Sequence, residues 1–298
     1  MAGQQPFPVS TGAKLLREEP LAPLTSFLIG GPAELLLLPA ETGDIVTALQ
    51  YAREEGMPWR IIGSGTNILV PDKGLPGLTI KFWRQFSSIY IDGTELTAQA
   101  GATTWEVSRV AAEAGLSGVE FVCGIPGTVG GAVFMNAGVK ELEIRNVLLT
   151  ATILERDGSV AARSPEELGL SYRSSALQDD GGTVMDARFS LRKGAPEEIL
   201  IEMNRFLAER RAVQPINQPN CGSVFRNPPG DFAGRLIEAA GCKRMQVGGV
   251  AVSEQHANFL VNLGGGTSSD VLELLERIKE RVERRSGMRL ELEMRIVE

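Results

Sequence analysis

Gly63-Ser64-Gly65-Thr66-Asn67 and Gly124-Ile125-Pro126-Gly127-Thr128-Val129-Gly130-Gly131-Ala132 are the stretches on which the fold turns. The first follows the apolar run Trp59 to Ile62. Its backbone N–H groups are therefore expected at the end of a strand, where glycine permits a positive φ and the close approach that phosphate oxygens need. It opens like the dinucleotide fingerprint G-x-G-x-x-G, but Ile68 stands where the third glycine belongs and no helical pattern follows. That argues against a Rossmann unit. The chain carries no G-x-x-x-x-G-K-[ST] either, which excludes a P-loop. One glycine-rich turn alone reads as a plain loop. Two describe a backbone cradle for a pyrophosphate, with Gly63, Ser64, Gly65, Thr66 and Asn67 on one wall and Gly124, Ile125, Pro126, Gly127, Gly130, Gly131 and Ala132 on the other.

Outward from these loops the pattern is mixed. Residues 44 to 55 have the apolar spacing of an amphipathic helix closed by Gly56, ahead of a strand at Trp59 to Ile62. Strand-like runs at Leu78 to Phe82 and Ile89 to Ile91 precede a helix from Thr104 to Ala114, ended by Gly115. Val147 to Glu155 reads as a strand entering an Asp157-Gly158 hairpin turn. A long helix is expected over Pro196 to Ala212, followed by a boundary at Gln214 to Pro219. Beyond it, helices at 232 to 240 and 270 to 285 flank β-like Gln246 to Val252 and Phe259 to Asn262. The last segment alternates, with Leu290, Leu292, Met294 and Ile296 on one expected strand face and Glu291, Glu293 and Arg295 on the other.

At 298 residues the chain exceeds the ~250 at which single cores stop growing, so two or three domains are expected. No apolar stretch approaches the ~20 residues that span a bilayer. The opening Met-Ala-Gly-Gln-Gln-Pro has neither a basic region nor an apolar core, so the expected address is cytoplasmic. A net charge of −7 argues against broad nucleic-acid binding, so an anionic ligand must be held locally. Cys123, Cys221 and Cys242 are odd in number and widely spaced, which suggests neither disulfides nor a zinc site. The single histidine, His256, gives little support to metal or triad chemistry.

Further motifs carry a resemblance: Leu24-Thr25-Ser26-Phe27-Leu28-Ile29-Gly30-Gly31-Pro32-Ala33, Ser171-Tyr172-Arg173-Ser174-Ser175, Gly222-Ser223-Val224-Phe225-Arg226-Asn227-Pro228, His256-Ala257-Asn258-Phe259 and Leu290-Glu291-Leu292-Glu293-Met294-Arg295. With Gly63 to Val70 and the second glycine segment, they make the chain resemble the UDP-N-acetylenolpyruvoylglucosamine reductases, flavoproteins of bacterial peptidoglycan precursor synthesis, from about residue 20 to 296. The short Tyr172 to Val184 interval resembles the shorter form of that family, which lacks a segment that folds over the substrate in the longer form. The resemblance implies a three-lobed α+β flavoprotein of the vanillyl-alcohol-oxidase type. Its FAD-binding unit is expected to comprise residues 1–80, completed by 288–298, and 81–212, with FAD between those two lobes, and residues 213–287 would form an α+β substrate lobe.

The implied reaction passes hydride from NADPH through FAD to a UDP-sugar enolpyruvate, with no metal, membrane or nucleic-acid partner. Such a reduction needs electrophilic support for a carboxylate that grows electron-rich, and a proton donor. The resemblance carries these roles to Arg173 and Glu293 at the carboxylate and to Ser223 as the acid. Arginine's planar fork suits a carboxylate; from spacing alone, Glu291 could serve in place of Glu293. Tyr172, Arg226 and Asn227 are the candidate substrate-holding residues, and His256 reads as structural. Cys221 departs from the family's usual small residue and sets a thiol near the proposed acid. No histidine or cysteine lies inside the first glycine loop, so FAD is expected to be held noncovalently. Two other readings share the glycine segments: an oxidase of the same FAD-binding superfamily, and a flavin-binding regulator without turnover.

Overall fold

Capping chemistry sets the helices. In the computed structural model, which describes residues 6–82 and 84–298, Glu41 and Asp44 form a reciprocal capping box at the start of α1 (Thr42–Glu54). Thr103 and Glu106 do the same for α2 (Thr104–Glu113). Shorter α3 (Val129–Phe134) and α4 (Leu177–Asp180) follow, then the long α5 (Pro196–Val213), which buries Ile199, Met203 and Phe206. The expected helices at 44–55, 104–114 and 196–212 are all present within a residue or two.

Packing divides the chain into two units, one comprising residues up to Leu16, Leu35–Ser64 and Gly77–Glu209, the other Arg17–Glu34, Gly65–Pro76 and Arg210–Glu298. A four-stranded sheet runs in the order Lys14–Pro20, Pro32–Leu38, Leu75–Lys81, Trp59–Ile62. Its last two strands are parallel, pairing Arg60 with Thr79 and Ile62 with Lys81. Leu35, Leu37, Leu78 and Ile80 from this sheet pack with Ile45, Ala48 and Leu49 of α1 in the core of the first unit. The same core contains a five-stranded antiparallel sheet in the order Val160–Arg163, Leu148–Leu154, Thr183–Ser190, Glu95–Gln99, Ile89–Asp92. The hairpin expected at Asp157-Gly158 joins its first two strands.

The second unit carries an antiparallel sheet in the order Asn220–Ser223, Phe259–Asn262, Val250–Val252, Gln246–Val247. Helices α6 (Ala233–Ala239) and α7 (Ser268–Ser286) bury Leu236, Ile237, Val271, Leu274, Leu275 and Ile278 in its core. Gln246 to Val252 is therefore a tight hairpin rather than one strand.

The terminal segment departs from the alternation. Leu292 bridges Phe225, but Glu293 N and Met294 N both donate to Val224 O, at 2.9 and 3.4 Å. The chain then changes partner, and Arg295–Ile296 pairs in parallel with Ile68–Leu69. Leu290 and Met294 are buried as expected, whereas Ile296 is 40% exposed because the doubled bond at Val224 breaks the pleat.

Candidate active site

The first glycine segment uses the carbonyls of Gly63, Gly65 and Asn67 and leaves the amides of Gly63, Ser64, Gly65 and Asn67 without an acceptor among the described residues. Gly63 O accepts from Lys81 Nζ at 2.6 Å. Gly65 O accepts from Ser26 N at 3.1 Å, and Asn67 O from Arg295 N at 3.0 Å. The N–H groups of Gly63, Ser64, Gly65 and Asn67 donate to no other described residue. Gly65 has φ +71°, a conformation that glycine enters without penalty. A Cβ at Gly63 would stand 2.5 Å from Thr128 Oγ1, so bare backbone here lies directly against the second segment. A run of open amides on a glycine turn suits the oxygens of a pyrophosphate.

The second segment is used differently. Val129 N donates to Ala102 O at 2.8 Å, Gly130 N to Ala100 O at 2.9 Å and Ala132 N to Thr128 O at 2.8 Å. A Cβ at Gly130 would meet Ala100 Cβ at 3.0 Å, so this glycine answers to packing, and its amide is not available to the pyrophosphate it was placed against. The amides of Gly127 and Thr128 donate to no other described residue.

Helix α3 leads from this segment to Arg173. Ser171 and Ser174 exchange two backbone bonds, both 3.1 Å, and set Tyr172 and Arg173 at the tip of a tight turn. Arg173 has φ +53°, sparsely populated for a non-glycine residue and costing about 1–3 kcal/mol. Its guanidinium donates to Gly138 O at 3.0 Å and lies 5.1 Å from the centroid of the Tyr172 ring. Asn136 Nδ2 donates to Ser171 O at 2.9 Å, and Gln178 Nε2 to Arg173 O at 3.2 Å.

Ser223 lies in the second unit, after a bulge. The ladder with Phe259–Asn262 shifts register between Asn220 and Ser223, and Gly222 takes φ +78° there. A bulge of this kind re-aims the side chain that follows it. Ser223 Oγ bonds to no other described residue. Beside it, Glu293 N donates to Val224 O at 2.9 Å, and Asn67 Nδ2 donates to Glu293 O at 3.2 Å. This unit therefore brings Asn67, Ser223 and Glu293 into one neighbourhood; Arg173 and the second glycine segment belong to the other unit. Glu293 is half-buried, whereas Glu291 is exposed.

Cys221 is fully buried with Sγ 3.2 Å from Met294 Sδ, and burial pushes its thiol up to about 12. It is an internal packing residue. Arg226 N donates to Glu291 O at 2.9 Å. Asn227 Oδ1 accepts from Ala233 N at 3.0 Å, so its oxygen serves the start of α6. Tyr172 is 43% exposed. His256 Nδ1 accepts from Asn258 N at 3.2 Å, and burial, with Lys243 nearby, holds its imidazole below the ordinary value. That is the structural role expected of it.

Three supporting residues escaped the sequence. Lys81 is fully buried. It lay in a strand-like run that singled out no role for it. Asn136 lay outside every motif. Asn258 lay in one, but nothing in the motif showed that its amide brackets the Phe225 backbone, accepting from Phe225 N at 3.1 Å and donating to Phe225 O at 2.8 Å.

Comparison with known proteins bears on this arrangement. Residues 33–162 match the FAD binding domain family, and residues 214–297 match the family described as UDP-N-acetylenolpyruvoylglucosamine reductase, C-terminal domain. A UDP-N-acetylenolpyruvoylglucosamine reductase of Rubrobacter xylanophilus is 49% identical over 94% of this chain and 94% of its own. One of Streptococcus pyogenes is 41% identical over 96% and 97%. The crystal structure of the corresponding reductase from Thermus caldophilus superposes with a TM-score of 0.82 at 36% identity, covering 96% of this chain and 99% of that one.

Proposed function

The chain belongs to the UDP-N-acetylenolpyruvoylglucosamine reductase family, and from that membership we propose that it uses NADPH and noncovalently bound FAD to reduce UDP-N-acetylglucosamine enolpyruvate to UDP-N-acetylmuramate. The work belongs to peptidoglycan precursor synthesis, in the cytoplasm. The observation that supports the reading beyond family membership is that Asn67 Nδ2 donates to Glu293 O and Glu293 N to Val224 O, so the end of the first glycine segment meets the backbone that carries the proposed carboxylate, Glu293, next to the proposed acid, Ser223.

The open amides of Gly63, Ser64, Gly127 and Thr128 in the first unit, and those of Gly65 and Asn67 in the second, each suit phosphate oxygens, which supports FAD binding along these segments. When bound, FAD supplies the two-electron relay between NADPH and the enol ether. The remaining chemistry falls to side chains. Arg173 grips the substrate carboxylate, and its charge matters more as negative charge accumulates there, so it lowers the barrier rather than merely binding. Glu293 supports the same enolate-like group. Ser223 Oγ protonates the adjacent carbon; a serine is a weak acid, which suits a strongly basic centre. Tyr172, Arg226 and the amide nitrogen of Asn227 hold the rest of the substrate. A three-lobe division, 1–80 with 288–298, 81–212 and 213–287, assigns FAD to the first two and substrate to the third. The C-terminal family match, which begins at residue 214, supports the boundary near 213, and the pairing of Arg295–Ile296 with Ile68–Leu69 supports joining the last segment to the first lobe.

The purified protein is expected to be yellow and to release FAD on denaturation. In anaerobic stopped flow, Ser223→Ala should leave flavin reduction by NADPH intact and slow reoxidation by the enolpyruvate roughly 10²- to 10⁴-fold, the usual loss of a positioned acid. Equal slowing of both half-reactions would remove Ser223 from the role of acid.

A further inference from the structure

The turn that presents Arg173 is irregular backbone, held chiefly by the last residue of α3 and the residues that follow it. Phe134 O accepts from Ser175 Oγ at 2.7 Å and from Gln178 Nε2 at 3.2 Å. Gly138 O accepts from the Arg173 guanidinium itself. Between them Asn136 is fully buried, at φ +42°, a left-handed conformation that asparagine tolerates better than most residues. Its amide is completely determined by its partners. Oδ1 accepts from Arg145 N at 3.0 Å, while Nδ2 donates to Glu143 Oε2 at 3.0 Å and to Ser171 O at 2.9 Å. Glu143 is fixed in turn by Arg145 Nε, 2.8 Å away. A flipped amide would set donor against donor at Arg145, so only one orientation satisfies the set.

We propose that Asn136 is a positioning residue for substrate reduction, acting through Ser171 to hold the strained turn that aims Arg173. The inference rests on the role proposed above for Arg173. It links the two halves of this unit's site: α3 begins in the second glycine segment, and the residues just beyond its end grip the turn. A side chain that locks another in its productive geometry acts on the chemical step, because misplacement of about 1 Å is enough to slow it by roughly 10²-fold.

Asn136→Gly tests this, since glycine accepts the positive φ and only the amide is lost. The expected result is a 10- to 100-fold slower reoxidation by the enolpyruvate, with flavin content and the NADPH half-reaction within about twofold of wild type. Amide hydrogen exchange of the purified protein should speed up locally over residues 171–174. Added to Arg173→Ala, the substitution should cause no further loss, because both act on one interaction. Gln178→Leu, which removes the bond to Arg173 O from a half-buried position, should give a weaker version of the same pattern if Asn136→Gly proves too unstable to purify. Loss of flavin, equal slowing of both half-reactions, or an additive double variant would overturn the proposal. If Arg173→Ala itself leaves reoxidation intact, the failure lies with the role of Arg173, whereas damage in Arg173→Ala without damage in Asn136→Gly or Gln178→Leu refutes the positioning role alone.

Discussion

Asn136 in one unit and Asn258 in the other are both buried, and both reach backbone beside a proposed catalytic residue, yet the segments they hold differ in what else supports them. Asn258 brackets Phe225, two residues past Ser223, in a stretch already laddered: Val224 N donates to Asn258 O at 2.9 Å, Val224 O accepts from Glu293 N, and Ser223 pairs with Phe259. Asn136 holds a turn whose own backbone, among the described residues, contributes the Ser171–Ser174 pair and no longer ladder. Where a ladder exists, a side-chain bracket adds stability to geometry the backbone already dictates. Where the chain is strained and irregular, the side chain sets the geometry. The first kind of support should therefore register in unfolding experiments, and the second in kinetics.

The largest effect that sharpens this contrast lies on the laddered side, at the tip residues. Glu293 and Glu291 flank Leu292, but Glu293 is half-buried beside Val224 and Asn67, and Glu291 is exposed with its carbonyl accepting from Arg226 N. Glu293→Gln should slow reoxidation by the enolpyruvate roughly 10²- to 10³-fold, the scale of one lost group that stabilises a developing oxyanion, and Glu291→Gln should leave it close to wild type. Because the backbone holds this segment, neither change should alter flavin content. A damaging Glu291→Gln beside a harmless Glu293→Gln would move the catalytic carboxylate two residues along the segment.

A smaller effect is expected at Asn258. Asn258→Ala leaves Phe225 N and O, both buried, without their partner, at a loss of about 1–3 kcal/mol per unsatisfied group. Urea unfolding should report that loss, while both half-reactions measured well below the midpoint remain near wild type. A kinetic defect confined to the enolpyruvate step would place Asn258 with Asn136 and dissolve the distinction between them.

How much of this was legible in the sequence follows the same line. Elements whose signals are local were readable. α1 ends at its glycine, α2 starts at its capping threonine, and Asp157-Gly158 turns its hairpin. The terminal alternation misled at Ile296, because a strand pattern cannot reveal that its backbone changes partner after Val224. At the site, the residues proposed to carry the chemistry, Arg173, Ser223 and Glu293, came from a motif resemblance that spans the chain. Their supports did not, since they act across sequence. Asn136 reaches Ser171 over 35 positions, and Lys81 reaches Gly63 over 18. Glycine count was equally silent about use: Gly63 lies in a run of open amides, whereas Gly130 is closed against Ala100.

Lys81 tests the side-chain side of the comparison at its smallest scale, through its contact to the Gly63 carbonyl. Burial pushes its ammonium down to about 8 from the ordinary 10.5. Below pH 8 both folded and unfolded chains carry the proton, so the lysine adds no slope to stability. Between pH 8 and 10.5 the unfolded chain keeps a proton that the folded chain has released, and stability gains with rising pH, by at most about 1.4 kcal/mol per pH unit for one proton. Lys81→Met abolishes that titration, so the stability difference between wild type and variant, followed by urea unfolding at several pH values across this window, should move in favour of wild type as pH rises. The neutral amine still donates to Gly63 O, so wild-type flavin retention should change little over the same window. Parallel stability profiles for the two proteins would mean that Lys81 keeps an ordinary proton affinity when folded, and that its hold on the first glycine segment is looser than the burial of its side chain implies.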